Sequence, residues 1–227
     1  MRRLLPLALA GLLAISLINT PIQSNNPTPI RPQQGWGYVT KIGLYELIES
    51  LHQLSFCRTC DEDAWFYDPL SRKAWDIGFD ETRDSVMIDH NILSHYQGNA
   101  PIFIVHFHTT LEDREVCFPP SPSDVKTSTR LRERYPNVNL RSVVVATCGY
   151  FEFVGFDPPS CVDEGILNSY LNFYNEFIST SSDGERREIL ERYGRRIAPN
   201  TYKVVFGNRG CGFSITVYMF PINSSNR

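Results

Sequence analysis

Hydrophobic and polar residues follow two different periods along the chain, and each period predicts a type of element. Apolar residues recur every three or four positions over four stretches, which predicts amphipathic helices at residues 40–55, 122–135, 162–178 and 183–193. Alternating or continuous short apolar runs predict strands at residues 64–67, 73–79, 85–88, 102–108, 141–153, 202–206 and 213–220. Residues 91–96 fit a single helical turn, and the glycine-rich stretch 207–212 fits a hairpin turn.

This order of elements predicts one α/β domain over residues 39–222, with a mixed β-sheet covered by helices. A stretch of that length is sufficient for one domain with a real hydrophobic core.

The first residues have a different character from the rest of the chain. Arg2 and Arg3 precede an apolar run at residues 4–18, and a polar, proline-rich stretch follows. This pattern predicts a signal peptide or membrane anchor at residues 1–22 and a disordered linker at residues 23–38. The apolar run is short for a spanning helix, which needs about 20 residues. We therefore expect a secreted or extracytoplasmic protein, with a membrane tether as the alternative.

Charge and cysteine content limit the partners and the compartment. The net charge of -3 does not favour nucleic acid, because the basic residues are mixed with acidic ones. Six cysteines, an even number in an exported chain, favour disulfide bonds, although their connectivity stays open. Cys57 and Cys60 have CxxC spacing, which also occurs in redox and zinc sites, but no second CxxC follows.

Candidate chemistry lies in the middle of the chain. Side chains alternate along a strand, so His106 and His108 lie on one face of the strand at residues 102–108. Ser121 then begins a helix as its N-cap, and Asp124 lies three residues later. Two imidazoles, one carboxylate and a water form a catalytic zinc site with one open position. We therefore predict a Zn2+ site formed by His106, His108 and Asp124.

Each half of this pattern also has a purely structural interpretation. An HxH pair on a strand occurs by chance, and S-x-x-D before a helix is a common capping box. Their order, a strand with HxH followed by the start of a helix, favours the metal site. The two interpretations of Asp124 are compatible, because a capping residue is held in a fixed position.

The motif resembles that of the JAMM (MPN) zinc metalloprotease family, in which a glutamate precedes HxHP and SxxD. The resemblance covers roughly residues 40–155, and Thr109 replaces the proline. It implies a curved mixed sheet flanked by helices, similar to the cytidine deaminase fold. It also implies that His106, His108 and Asp124 bind zinc and that Ser121 stabilises the oxyanion.

The resemblance further implies a glutamate as general base near the first strand after the first helix. Glu62 fits this position best, whereas Glu46 and Glu49 lie in the middle of the predicted helix. A solvated surface acid is the alternative interpretation of Glu62.

The function implied is hydrolysis of an amide bond by a zinc-activated water. The substrate would be a protein or peptide, including conjugates of ubiquitin-like proteins. The alternative is a catalytically inactive binding or scaffold domain of the same fold, exported and stabilised by disulfides.

Overall fold

The computed structural model of the protein describes residues 39–221, apart from residues 58, 83–84, 97, 111–115 and 209. The described α-helices are α1 (Leu44–Ser55), α2 (Pro122–Arg134), α3 (Glu164–Ser179) and α4 (Asp183–Tyr193). The strands are β1 (Val39–Lys41), β2 (Ala64–Asp68), β3 (Lys73–Asp76), β4 (Gly78–Thr82), β5 (Ser85–Ile88), β6 (Gly98–Phe107), β7 (Val138–Ala146), β8 (Gly149–Phe153), β9 (Gly194–Ala198), β10 (Thr201–Asn208) and β11 (Cys211–Met219). Short 3-10 helices lie at His90–His95 and Pro159–Cys161.

Nine strands form one open sheet in the order β1-β3-β2-β6-β7-β8-β11-β10-β9, and β4 and β5 form a separate hairpin. Strands β6 and β7 are parallel, and the other neighbours within the sheet are antiparallel. A parallel pair needs a crossover connection, and α2 lies in the connection between β6 and β7. The prediction of one α/β domain with a mixed sheet flanked by helices is confirmed.

Helices cover both faces of the sheet. The side chains of β7 alternate, so that Val143 and Val145 face one way and Val144 the other. Leu47 and Leu51 of α1 pack in the same cluster as Val143 and Val145. Helices α2, α3 and α4 contribute to the cluster that contains Val144. A third cluster joins β2, β6 and α2 to the β4–β5 hairpin, and the candidate site lies on the face that α2 covers.

The single strand predicted at residues 141–153 is wrong, because two antiparallel strands occupy this stretch. Ala146 pairs with Gly149, which leaves Thr147 and Cys148 as a two-residue turn. The apolar run continues on both sides of this turn, so the pattern of apolar residues does not indicate that a turn is present. Gly149 is required there, since a Cβ atom would lie 2.2 Å from the carbonyl oxygen of Tyr218 on β11.

Other boundaries also differ from the prediction. Helix α1 begins at Leu44, because Glu46 accepts a hydrogen bond of 2.7 Å from the backbone N–H of Gly43 and caps the first turn. The strand predicted at residues 73–79 is divided between β3 and β4, which belong to different sheets. Strand β9 was not predicted, because its sequence is charged and largely exposed at the edge of the sheet.

All six cysteines form disulfides, as expected for structural cysteines. The pairs are Cys57–Cys60, Cys117–Cys148 and Cys161–Cys211. No free thiolate remains for a cysteine zinc site. Three disulfides indicate an oxidising environment outside the cytoplasm.

The predictions for residues 1–22 and 23–38 lie outside the described residues. Within residues 39–221, as far as the structure describes them, no helix is long and apolar enough to cross a membrane. A membrane tether through residues 1–22 therefore stays a prediction from the sequence.

Candidate metal centre

Strand β6 carries the first histidine and positions the second. His106 pairs with Ala64 of β2 and with Val144 of β7, so it is held in the middle of the sheet. His108 lies one residue beyond β6, and its backbone N–H donates to the carbonyl oxygen of Val145 at 2.9 Å. The extended pairing therefore continues to His108. Both imidazoles face the same side, as the HxH pattern predicted.

Asp124 is positioned by the N-terminus of α2. Its backbone N–H donates to Ser121 Oγ at 3.1 Å, and its Oδ2 accepts from the backbone N–H of Ser121 at 2.6 Å. Pro122 occupies the first turn. The hydroxyl of the buried Tyr170 on α3 donates to the carbonyl oxygen of Pro120, which secures the segment leading into this cap. The predicted capping box is confirmed, and it points the Asp124 carboxylate towards the histidines.

The donor atoms of three residues lie close together. His106 Nε2 and His108 Nε2 are 3.2 Å apart, His106 Nε2 lies 3.5 Å from Asp124 Oδ1, and His108 Nε2 lies 3.4 Å from Asp124 Oδ2. A tetrahedral zinc ion with bonds of about 2.0–2.1 Å requires ligand atoms about 3.3–3.4 Å apart. This metal trio (His106, His108 and Asp124) is thus a group that could hold a metal ion.

A backbone carbonyl orients the second imidazole. His108 Nδ1 lies 3.3 Å from the carbonyl oxygen of Phe118, which accepts a hydrogen bond when Nδ1 carries the proton. That tautomer leaves the Nε2 lone pair directed into the metal trio. Histidines that bind metals commonly have such a partner on the other ring nitrogen.

The charges within the trio favour a cation. Burial alone would lower the pKa of His108, but the hydrogen bond and the negative charge of Asp124 outweigh burial and raise it. Burial would raise the pKa of Asp124, whereas the charges and hydrogen bonds of His106 and His108 hold it well below its usual value. Asp124 is therefore ionised, and the trio attracts either a proton or a metal cation.

Glu62 lies in the same cavity as the trio. It precedes β2, whose Ala64 pairs with His106, and only 8% of its surface is exposed. Its negative charge also helps to raise the pKa of His108. The interpretation of Glu62 as a solvated surface acid is therefore wrong, whereas its role as general base stays a prediction.

The two competing glutamates lie elsewhere. Glu46 is exposed on α1 and caps that helix through Gly43. Glu49 is also exposed on α1, where its charge acts on His52. Neither lines the cavity around the trio.

The cavity has a volume of about 320 Å3 and both polar and apolar lining residues. The polar residues include the metal trio, Glu62 and Ser121. Apolar side chains also line it, among them Val86, Ile88, Ile104 and Leu131. Sequence reasoning missed Tyr174, which also lines the cavity, because helical periodicity alone assigned it to the core.

Asp63, which follows Glu62 in the chain, interacts with the carboxyl group of Asp76. Burial, followed by the charge of Asp76, raises the pKa of Asp63 to about 7. The indole N–H of Trp65 donates to Asp63 Oδ2 at 2.9 Å, so this acid is held in place. Asp63 and Asp76 do not line the cavity.

The other three histidines, His52, His90 and His95, do not line the cavity. His90 Nδ1 lies 2.9 Å from the hydroxyl of Tyr135, outside the cavity lining. His95 does not line the cavity either. His52 Nε2 contacts the carbonyl oxygen of Thr147, and its ring packs on Phe220.

No family model, curated protein or solved structure matches the chain. The resemblance to the JAMM family therefore depends on the motif residues alone and stays a prediction.

Proposed function

We propose that the protein is a zinc-dependent metallopeptidase or isopeptidase of the JAMM type, which hydrolyses an amide bond in a protein or peptide. The observation that carries this proposal is the spacing of the donor atoms of three residues: 3.2 Å between the two imidazole nitrogens, and 3.5 and 3.4 Å from these nitrogens to the two carboxylate oxygens of Asp124. Glu62 and Ser121 support it, since both line the same cavity. The curved, deaminase-like form of the fold is part of the proposal.

The donor set suits zinc. Two imidazole nitrogens and one carboxylate oxygen with room for a fourth ligand are typical of catalytic zinc sites. When bound, zinc supplies a Lewis acid that lowers the pKa of a bound water to about 7. His106, His108 and Asp124 would hold it.

Glu62 and Ser121 perform the proton and charge chemistry. Glu62 accepts one proton from the attacking water as the water oxygen bonds to the amide carbon. The C–N bond then breaks, and the same proton passes to the leaving nitrogen. Ser121 Oγ already accepts the N–H of Asp124, so its own O–H can donate to the carbonyl oxygen as negative charge develops there.

Metal content provides the first test. We expect about one zinc per chain in purified protein and none in His108→Ala, because a site with three protein ligands cannot lose one of them without a large loss of affinity. The unfolding temperature of His108→Ala without metal should show that the variant is folded. A folded, disulfide-bonded wild type that binds no zinc near pH 7 would contradict the proposal.

Cleavage of a peptide and conjugate panel provides the second test. Glu62→Gln should abolish cleavage while keeping the zinc, because the amide cannot accept the proton. Glu49→Gln on α1 is the matched control and should retain full activity. A wild type that binds zinc and a peptide but cleaves nothing would favour the alternative, a non-catalytic binding domain.

A further inference from the structure

Tyr174 lines the cavity that contains the metal trio, and it has no role in the chemistry described so far. It lies on α3 one helical turn after Tyr170, so both side chains project from the same face of the helix. Tyr170 is fully buried and donates to the carbonyl oxygen of Pro120, directly before Ser121. This contact fixes α3 relative to the start of α2. The next tyrosine on that face, Tyr174, therefore lines the cavity.

The hydroxyl group of Tyr174 is available to a ligand in this cavity. Tyr174 is half-buried, and its hydroxyl makes no hydrogen bond to any other residue that the structure describes. The carboxylates of Asp124 and Glu62 are close enough to act on it: burial, and then these two charges, raise its pKa to about 12. The phenol consequently stays protonated near pH 7 and can donate a hydrogen bond to a group that carries negative charge.

Tyr174 could either pack its ring in the hydrophobic core or donate a hydrogen bond in the cavity. Phe173 and Phe177 of α3 are fully buried and supply the packing of this helix against the sheet. Tyr174 does not belong to that core cluster. Tyr174 instead lines the cavity, where its hydroxyl can act on a ligand.

We propose that Tyr174 is a further catalytic residue of the hydrolase proposed above, and that its O–H donates a hydrogen bond to the carbonyl oxygen of the scissile amide. The inference rests on the proposed function. Ser121 at the N-terminus of α2 and Tyr174 on α3 would then approach the same oxygen from two elements. A hydrogen bond that strengthens as negative charge develops lowers the free energy of the transition state more than that of the ground state.

Tyr174→Phe tests the proposal, because it removes only the hydroxyl and keeps the ring. Loss of one such donor typically lowers kcat by about 100- to 1000-fold. We expect this loss in kcat with KM, zinc content and unfolding temperature unchanged. Tyr45→Phe is the control, since Tyr45 is 60% exposed on α1 and should change none of these values.

Binding of a transition-state analogue gives a readout independent of turnover. A peptide phosphonamidate carries tetrahedral anionic oxygens in place of the scissile carbonyl, and its affinity can be measured by titration calorimetry. Tyr174→Phe should weaken this analogue by about the same factor as kcat, and a substrate-like peptide amide hardly at all.

The possible failures are distinguishable. Unchanged kcat and unchanged analogue affinity in Tyr174→Phe, with an active wild type, overturn the role of Tyr174 and leave the proposed function intact. Loss of zinc or a lower unfolding temperature in Tyr174→Phe also overturns it, because the residue would then be structural. A zinc-loaded wild type that neither cleaves nor binds the analogue overturns the proposed function and this inference together.

Discussion

The disulfide Cys117–Cys148 should support both the fold and the metal trio. Cys117 directly precedes Phe118, whose carbonyl oxygen faces His108 Nδ1 at 3.3 Å. Cys148 lies in the turn between β7 and β8. The disulfide therefore ties the segment that orients His108 to the centre of the sheet. Replacing both cysteines, in Cys117→Ala/Cys148→Ala, removes this connection and retains every residue of the metal trio.

The loss of stability follows from the length of the closed loop. The two cysteines are 31 residues apart, and the chain-entropy relation then gives a loss of about 3.7 kcal/mol in the free energy of unfolding. Cys161–Cys211 spans 50 residues and gives about 4 kcal/mol, so Cys161→Ala/Cys211→Ala is a matched control for stability. Neither Cys161 nor Cys211 lines the cavity.

The two variants should differ in metal affinity. Loss of a partner that orients a metal-binding histidine typically costs 10- to 100-fold in affinity. Urea unfolding without metal gives the stability of each variant, and competition with a zinc chelator gives the Kd. We expect similar losses of stability and a weaker zinc Kd in Cys117→Ala/Cys148→Ala alone. Equal Kd values in the two double variants would refute the link between this disulfide and His108.

Three further predictions concern charge, packing and capping. The raised pKa of Asp63 means that the folded protein binds more protons than the unfolded chain between about pH 4 and pH 7, so stability should fall as pH rises through this window. Asp76→Asn removes the charge next to Asp63, so it should stabilise the protein at pH 8 by on the order of 1–3 kcal/mol and weaken the dependence of stability on pH. Urea unfolding at several pH values measures both effects. An unchanged dependence on pH would exclude the interaction of Asp63 with Asp76 as its cause. Gly155→Ala should lower the unfolding free energy by about 1–3 kcal/mol in the same assay, because the new Cβ would lie 2.4 Å from the backbone nitrogen of Thr129, and a neutral outcome would mean that α2 shifts freely. Ser121→Gly should cost only a few tenths of a kcal/mol as a cap but lower kcat by about 100-fold or more, and full activity would exclude the Ser121 hydroxyl from the reaction.

Local features of the metal trio were predictable from the sequence. The side chains of His106 and His108 lie on the same face because side chains alternate along a strand, and this holds wherever a strand forms. The position of Asp124 depends on a capping box within four residues, which needs no tertiary contact. In the same way, the period of the apolar residues predicted most of the segments that form helices and most of those that form strands.

The ends of the strands were less predictable where the pattern of apolar residues does not change from one strand to the next. The turn at Thr147 and Cys148 interrupts an apolar run without the asparagine or glycine pair that marks a tight hairpin. Strand β9 is stabilised by pairing with β10 rather than by an apolar pattern of its own.

The composition of the cavity was decided by the tertiary structure. Glu62 is 44 residues before His106 in the chain, and only the pairing of β2 with β6 brings the two into one cavity. The partners of the six cysteines and the position of Tyr174 on the cavity wall likewise depend on contacts between distant segments. The sequence by itself therefore determined the residue types of the metal trio and their local geometry. Long-range packing decided which groups surround them, namely the carboxylate of Glu62, the phenol of Tyr174 and the carbonyl group of Phe118. Such contacts leave no periodic pattern along the chain.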